Sequence, residues 1–592
     1  RPPVLESTSL MLNPDAVTRE LLPSSPKGLG LDDSSPIPGS SGVRPSSVGL
    51  ARVLPAPLHK LSSVQLTDTQ LALVVSAVLF FVGAWPLALT EVPPYQDLPN
   101  HLATLTVIEN LEAYPEYVFN GFFKTNAALF TWLHVVGKLA GLKLAARLFA
   151  LLTLALNAFV LPRFVLRISG SRRRMLMASL FAWPMVHNWF VSMGMLDFAI
   201  AVPLSLALLL AVNRQRSAPT IPNALAIVGL GVATWYAHVF PLLVVHLLIL
   251  VESLVQSTWR ARYEALRAMA TPLMPVTLLA LASVAQHVKD TTGPMTGFMD
   301  FRKLLAPWEL AYNLWAEWFW GYSNLSLSSL VPCVALGVVG FRGIRRRTEA
   351  APPFFSSFAL VTLVLLYCFI PYKMTNWFHV NSRLIPYIWI GLLLFVPERL
   401  PKALIVALGL SGVLYTAGMG IDHARLDEER REFSAGMDAV PEGARLLPLL
   451  FRHKGASDNT RNLLHMWGYY VVERKTAAPL LFAHSRSFPV TYSVPPPVRF
   501  NHLVLESFAP EMSSPTTMCK TASRFDDCDA LFETTWQKFF AEATPRYDHL
   551  LLWEPTPEAL AMIPADYEPT FARGRLMIYA RRDVPHKHAA RD

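Results

Sequence analysis

Residues 70–101 read QLALVVSAVLFFVGAWPLALTEVPPYQDLPNH, and the change of character inside them sets the expectation for the whole chain. Leu71 to Leu89 carry no charge. A helix of that length crosses the ~30 Å hydrocarbon core of a bilayer. Glu91, Pro93 and Pro94 then end the apolar run, and Asp97 and His101 follow at once. A span that opens directly onto ionisable residues places those residues at a membrane surface.

The rest of the chain repeats the pattern. Its 592 residues are 52% hydrophobic and only 16% charged, with a mean hydropathy of +0.34. Soluble domains carry roughly 25% charged residues, so a soluble enzyme, a disordered chain and a coiled coil are all disfavoured. Eleven apolar stretches are expected as spans, near 70–90, 144–166, 175–192, 196–212, 222–237, 239–257, 269–287, 326–341, 354–371, 384–397 and 402–420. The fold class is therefore a polytopic α-helical membrane protein. The net charge of +9 has an ordinary source, because Arg gathers in alternate loops: Arg163 to Arg174, Arg214 and Arg216, Arg260 to Arg267, Arg342 to Arg347, and Arg399 with Lys402. Basic loops stay cytoplasmic, which puts the N-terminus inside and the C-terminus outside and gives no reason to invoke nucleic acid. That register requires 91–143 to lie wholly outside, with 126–140 as an interfacial helix rather than a span.

Three regions fall outside the spans. Residues 1–65 are expected to be a disordered tail, since the first 50 hold ten Ser and eight Pro and cannot bury enough apolar surface to offset ordering. No basic stretch followed by an apolar core occurs there, so no cleaved leader is expected. The membrane part is then 66–420, with long outer loops 91–143 and 288–325. The second loop carries Trp308, Trp315, Trp318 and Trp320, residues suited to the headgroup level, together with Arg302 and Lys303. Residues 421–592 contain strand-like runs such as Leu550–Trp553 and Leu576–Ala580, and are expected to form an extracytoplasmic soluble α/β domain. Cys519 and Cys528, nine apart in a polar stretch, suit a disulfide in an oxidising compartment.

Candidate functional residues cluster on the outer side. Asp97 opens a helix whose Leu98, Leu102, Leu105, Ile108 and Leu111 form one apolar stripe. It either caps that helix or acts as a general base, with His101 four residues on and on the same face. His187, Asp197 and His238 lie at the outer ends of spans, where an ionisable group is costly and therefore a functional candidate. Asp with two His is a donor set for a divalent metal, but no ligand spacing joins them; no metal ligand is assigned, and a divalent metal stays open as a cofactor. The segment Pro371–Arg383 holds Lys373, His379 and Arg383 on the side where positive charge is unexpected. Those side chains either snorkel or form an anion site, because a guanidinium fork matches phosphate oxygens. No Walker loop, dinucleotide fingerprint or G-x-S-x-G is present.

Together, Tyr95-Gln96-Asp97-Leu98-Pro99-Asn100-His101, the helices of the first outer loop, the many spans and the outer α/β region resemble the GT-C superfamily of integral-membrane glycosyltransferases, the polyprenyl-phosphate-sugar-dependent type. The resemblance covers about 70–592 and implies a bacterial inner (plasma) membrane location. It also implies sugar transfer from a polyprenyl-phosphate donor to a glycan, lipid or protein acceptor on the outer face. Asp97 would be the base, and His101 would orient either Asp97 or the acceptor. Lys373 and Arg383, with His379, His187, His238 and Asp197 nearby, would bind donor and phosphate. Many relatives carry a paired acidic motif in the first loop; here a single Asp is followed by Asn100 and His101. Two other classes share these features: a flippase or exporter of lipid-linked saccharide, and a non-catalytic membrane protein of envelope assembly.

Overall fold

The computed structural model describes residues 66–290, 299–300, 306–322, 326–346, 352–374, 377–457, 459–523 and 527–583. The expected tail 1–65, and Arg302, Lys303 and Arg347, lie outside the described residues. In chain order the principal elements are α1 (Asp68–Ala84), α2 (Leu98–Glu109), β1 (Tyr117–Phe119), α3 (Ala128–Ala140), α4 (Leu142–Ser169), α5 (Leu196–Ser217), α6 (Ile221–Ala237), α7 (Val239–Leu254), α8 (Trp259–Asp290) and β2 (Met299–Asp300). They continue with α9 (Pro307–Ala316), α10 (Ser326–Arg346), α11 (Ser357–Phe369), β3 (Lys373–Met374), α12 (Ile385–Leu393), α13 (Lys402–Ser434), β4 (Leu446–Leu450), α14 (Gly468–Arg474), β5 (Val490–Tyr492), α15 (His502–Glu511), α16 (Cys528–Ala543), β6 (His549–Trp553), β7 (Tyr567–Arg573) and β8 (Leu576–Arg581).

Among the described residues, six helices are long and apolar enough to cross a membrane: α1 with its extension to Leu89, α4, α5, Met269–Gln286 of α8, Leu327–Arg346 of α10, and α13. Four shorter apolar helices, α3, α6, α7 and α11, accompany them. The innermost is α5, whose apolar window is 72% buried, against 28% for α8 and α10. Large exposed apolar side chains such as Val78, Phe81, Leu278 and Val334 sit on the outer faces, as a surface facing lipid tails requires. α1 starts on a capping box, in which the Thr67 hydroxyl accepts from Gln70 N and the Gln70 side chain accepts from Thr67 N.

Two expected spans take other forms. The stretch 175–192 divides into three short helices, Arg172–Ser179, Trp183–Val186 and Trp189–Ser192. Pro184 enters at the first turn of the second piece, and Asn188 starts the third by accepting the Val191 N–H. Each is a helix-start signal inside what would otherwise be one helix. The stretch 384–397 contains α12, only nine residues long and buried on nearly every side. Too short to cross, it is packed inside the bundle.

α2 is packed inside the protein. Leu98–Asn100 and Leu102–Val107 are all buried, because α14 packs across it. Gly468, the first residue of α14, comes so close that a Cβ there would stand 2.3 Å from the Pro99 carbonyl oxygen. α3, in contrast, keeps an open face: Leu129, Phe130 and Leu133 are buried while Val135 and Leu139 are exposed.

α13 runs 33 residues from the Arg-rich end of the bundle into the C-terminal region. There the strands form one sheet in the order β4-β6-β8-β7, with β4–β6 parallel and the other pairs antiparallel. Arg575 locks the sheet to α13 through Glu432 (2.6 Å), Glu429 (3.1 Å) and, from the sheet itself, Glu554 (3.2 Å). A second network, Glu91–Arg430 (2.7 Å), Arg430–Asp427 (3.0 Å), Glu91–Lys143 and Lys143–Glu473 (both 3.0 Å), joins α13 and α14 to the segment after α1 and to the start of α4. β1 pairs antiparallel with β5, stacking Tyr117 on Tyr492. Cys519 and Cys528 are bonded, with Cα atoms 5.7 Å apart.

Candidate functional site

Asp97 stands at the N-cap position of α2, followed by a proline in the first turn, yet its side chain makes no capping hydrogen bond. Its Oδ1 accepts instead from Gln96 Nε2 (3.2 Å) and forms an ion pair with His465 Nδ1 (3.1 Å), whose N–H also points to the Gln96 carbonyl oxygen (3.2 Å). Oδ2 makes no hydrogen bond among the described residues, and the side chain is 15% exposed. The backbone is fixed from the other side: Gln96 N and Asp97 N donate to Ser192 O (3.1 Å) and Met193 O (3.0 Å). Gly194 makes this approach possible. Its φ is +82°, and a Cβ there would lie 2.8 Å from Asp97 N, so only glycine fits without displacement.

His465 is the residue that sequence reasoning missed. It is fully buried and bridges two carboxylates, Asp97 at Nδ1 and Glu506 at Nε2 (3.2 Å). Burial opposes the charged ring, but the hydrogen bonds to Asp97 and Glu506 outweigh it and hold His465 up at about 9. At neutral pH the ring is an imidazolium donating from both nitrogens. It belongs to a loop that clamps the Asp97 segment: Arg461 N donates to Gln96 Oε1 (2.7 Å), the Asn462 amide to Pro94 O, and Asn459 to Ala316 O (2.9 Å). Asn100 reaches into the same region, donating to Leu480 O (2.9 Å). The signal in sequence is faint: Asn459, Thr460, Arg461, Asn462 and His465 fall within seven residues, with no spacing that names a partner.

His101 does not bond to Asp97 among the described residues. Its ring is wedged edge-on between Phe130 and Phe482, and burial pushes it down to about 4 although Asp97 pulls the other way. His101 is thus neutral at physiological pH, and His465 occupies the orienting position expected of it.

The basic residues sit on a second side. Arg383 is 5% exposed, lies over the rings of Trp377 (5.3 Å) and Phe198 (5.9 Å), and donates to Phe378 O (3.2 Å). Its Nε has no hydrogen-bond partner, and among the described residues no carboxylate pairs with it. His238 packs its edge against Phe198 and Trp377. Its Nδ1 accepts from Phe240 N (3.0 Å), so the neutral ring carries its proton on Nε2. Lys373 lies over the Phe378 ring (4.7 Å). His379, at φ 57°, has both ring nitrogens engaged, Nε2 with Tyr372 Oη (3.0 Å) and Nδ1 with Glu317 (3.3 Å). Glu317 also accepts from Ser382. Asp197 accepts from Leu129 N (2.8 Å) at the start of α3. His187 bonds to Gly83 O (3.2 Å) among Tyr95, Tyr322 and His423, and its Nε2 is buried without a partner.

One segment, His187 to Phe198, carries both sides. Met193 and Gly194 hold Asp97, Phe198 lies against Arg383 and His238, and the Trp189 ring meets His379 at 4.8 Å. Among the described residues no group of three or more His, Cys, Asp or Glu is arranged to hold a metal ion. The arrangement offers an oriented carboxylate with an open oxygen, and a buried guanidinium with open donors.

No protein-family profile matches the chain, and no curated protein matches it. Among solved structures it is similar to ArnT from Cupriavidus metallidurans bound to undecaprenyl phosphate, with 12% identity and a TM-score of 0.43, covering 86% of this chain and 97% of that one. A superposition that loose leaves the assignment to this chain's own residues.

Proposed function

We propose that the protein is a membrane glycosyltransferase that moves a sugar from a polyprenyl-phosphate donor to an acceptor hydroxyl at the outer membrane face, with the C-terminal region lying over the site. The observation that carries the proposal is Arg383, a buried cation with open donors and no carboxylate partner among the described residues, set on the same segment that fixes Asp97. A buried charge left uncompensated costs several kcal/mol, so a fold keeps one where an anion arrives to pair with it.

In the reaction the acceptor oxygen attacks the anomeric carbon while the bond from that carbon to the phosphate oxygen breaks. The bonding pair leaves with the phosphate, where the guanidinium of Arg383, which shares the Phe198 and Trp377 rings with His238, offsets the growing charge. The acceptor proton passes to Oδ2 of Asp97, the oxygen left open by Gln96 and His465. His465 is a positioning residue: anchored on Glu506, it fixes the plane of the carboxylate. The acceptor is a glycan, lipid or protein.

The test is in vitro transfer by the full chain in nanodiscs, supplied with a panel of polyprenyl-phosphate sugars. Wild type transfers sugar, and Asp97→Asn loses transfer while still retaining donor. Unchanged transfer by Asp97→Asn overturns the catalytic role. Movement of lipid-linked sugar across proteoliposomes with no transfer from any donor makes the protein an exporter instead.

A further inference from the structure

A groove of about 900 Å³ runs down the outside of α10. One wall is an apolar stripe at helical spacing, Leu327, Leu330, Val331, Val334 and Val338. Leu327, Val331, Val334 and Val338 of that stripe are all substantially exposed. The facing wall is Leu394, Phe395, Leu400 and Leu404, leading into α13. From Leu327 to Arg346 the helix rises about 28 Å, close to the depth of a hydrocarbon core.

The groove does not end in open lipid. Arg174, Arg342, Arg346 and Arg399 line it at one end. Arg174 Nε donates to Val396 O (3.1 Å), which pins that side chain across the floor. Among the described residues, no carboxylate forms an ion pair with Arg342, Arg346 or Arg399. Glu398, next in sequence, is turned away to accept from Ser171 (2.5 Å) and does not line the groove. Cytoplasmic retention requires Arg in the loops, but it does not require four of them around the mouth of one apolar slot. An apolar channel of membrane depth capped by guanidinium forks is complementary to one class of molecule: an acyl chain joined to a phosphate diester.

We propose that this groove binds an anionic glycerophospholipid of the leaflet at the Arg end, its acyl chain along α10 and its phosphate held by Arg342, Arg346 and Arg399. The site is separate from the Asp97–Arg383 region and does not rest on the reaction proposed above. Bound there, the lipid bridges α10 to the foot of α13.

The experiment is native mass spectrometry and thermal unfolding of the full chain in detergent with phosphatidylglycerol, phosphatidylcholine or undecaprenyl phosphate added. Wild type retains phosphatidylglycerol and melts higher with it than with phosphatidylcholine. Combined Arg342→Gln, Arg346→Gln and Arg399→Gln weaken retention on the order of 100-fold, from about 1 kcal/mol for each charge. Val334→Trp keeps every arginine and fills the slot, and it also loses the lipid. Equal stabilisation by phosphatidylcholine overturns the proposal, as does retention by Val334→Trp, which would mean charge attraction without a groove. Preferential uptake of undecaprenyl phosphate that Val334→Trp removes would assign the groove to a different lipid and overturn it as well.

Discussion

Two buried cations sit on either side of the His187–Phe198 segment, and the fold treats them oppositely. His465 lies between Asp97 and Glu506, both within 3.2 Å, so its charge is fully answered inside the protein. Arg383 is as deeply placed and has aromatic rings and one carbonyl for company. Burial of charge is expensive in either place. Where the protein supplies the counterions, the cation holds structure together. Where it supplies none, the cost is carried in the free protein, and the proposed function has an anion recover it. Under the proposed function, the contrast separates a residue that positions from one that receives.

The largest expected effect falls on Asp97, where the two sides meet in chemistry. Asp97→Asn keeps the hydrogen-bonding shape but cannot take a proton, and transfer in nanodiscs is expected to drop by about 10²–10⁴-fold. Next come the two cations, with opposite signatures. His465→Gln leaves Asp97 and Glu506 facing each other without the charge between them, and unfolding stability of the C-terminal region falls by about 3 kcal/mol. Arg383→Gln removes a cation that has no described carboxylate partner, so the melting temperature holds or rises. What this variant loses is the stabilisation of wild type by added polyprenyl phosphate, by about 1.5–3 kcal/mol. If Arg383→Gln destabilises as much as His465→Gln, the contrast is broken.

A pH series sharpens the same point. His465 stands at about 9, above the ordinary histidine value of 6.5, so its stabilisation is complete below 6.5 and is lost as pH rises through 9. Melting temperature therefore declines over that interval in wild type, and the decline disappears in His465→Gln. The smallest effect belongs to Lys373, partly exposed over Phe378. Lys373→Met lowers affinity for polyprenyl phosphate by about 0.5–1 kcal/mol, read as a shift in half-saturation.

The sequence made some of this legible. The long spans follow from length and apolarity alone, which is why α1, α4, α5 and α13 stand near their expected places. α3 was readable because an amphipathic face survives in the structure. The broken stretch 175–192 was not, since Pro184 and Asn188 act as helix starts only when neighbours fill the space around them. What covers the apolar stripe of α2 is tertiary and was not legible: α14 packs across it, and Gly468 lets α14 in. Asp97 could be picked out by its place after the first span. His465 and Glu506 could not, because their meaning comes from contact with a residue hundreds of positions away.

That separation has a consequence for how the protein is made. Gln96 and His465, in contact through the Gln96 carbonyl, stand 369 positions apart. A ribosome adding about 5–20 residues per second takes roughly 20–70 s to travel between them. For that interval the carboxylate is already synthesised while the imidazole that orients it does not yet exist. β1 likewise waits for β5. A chain cut short before residue 465 can insert much of its bundle and still lack the ring that holds the Asp97 carboxylate in place.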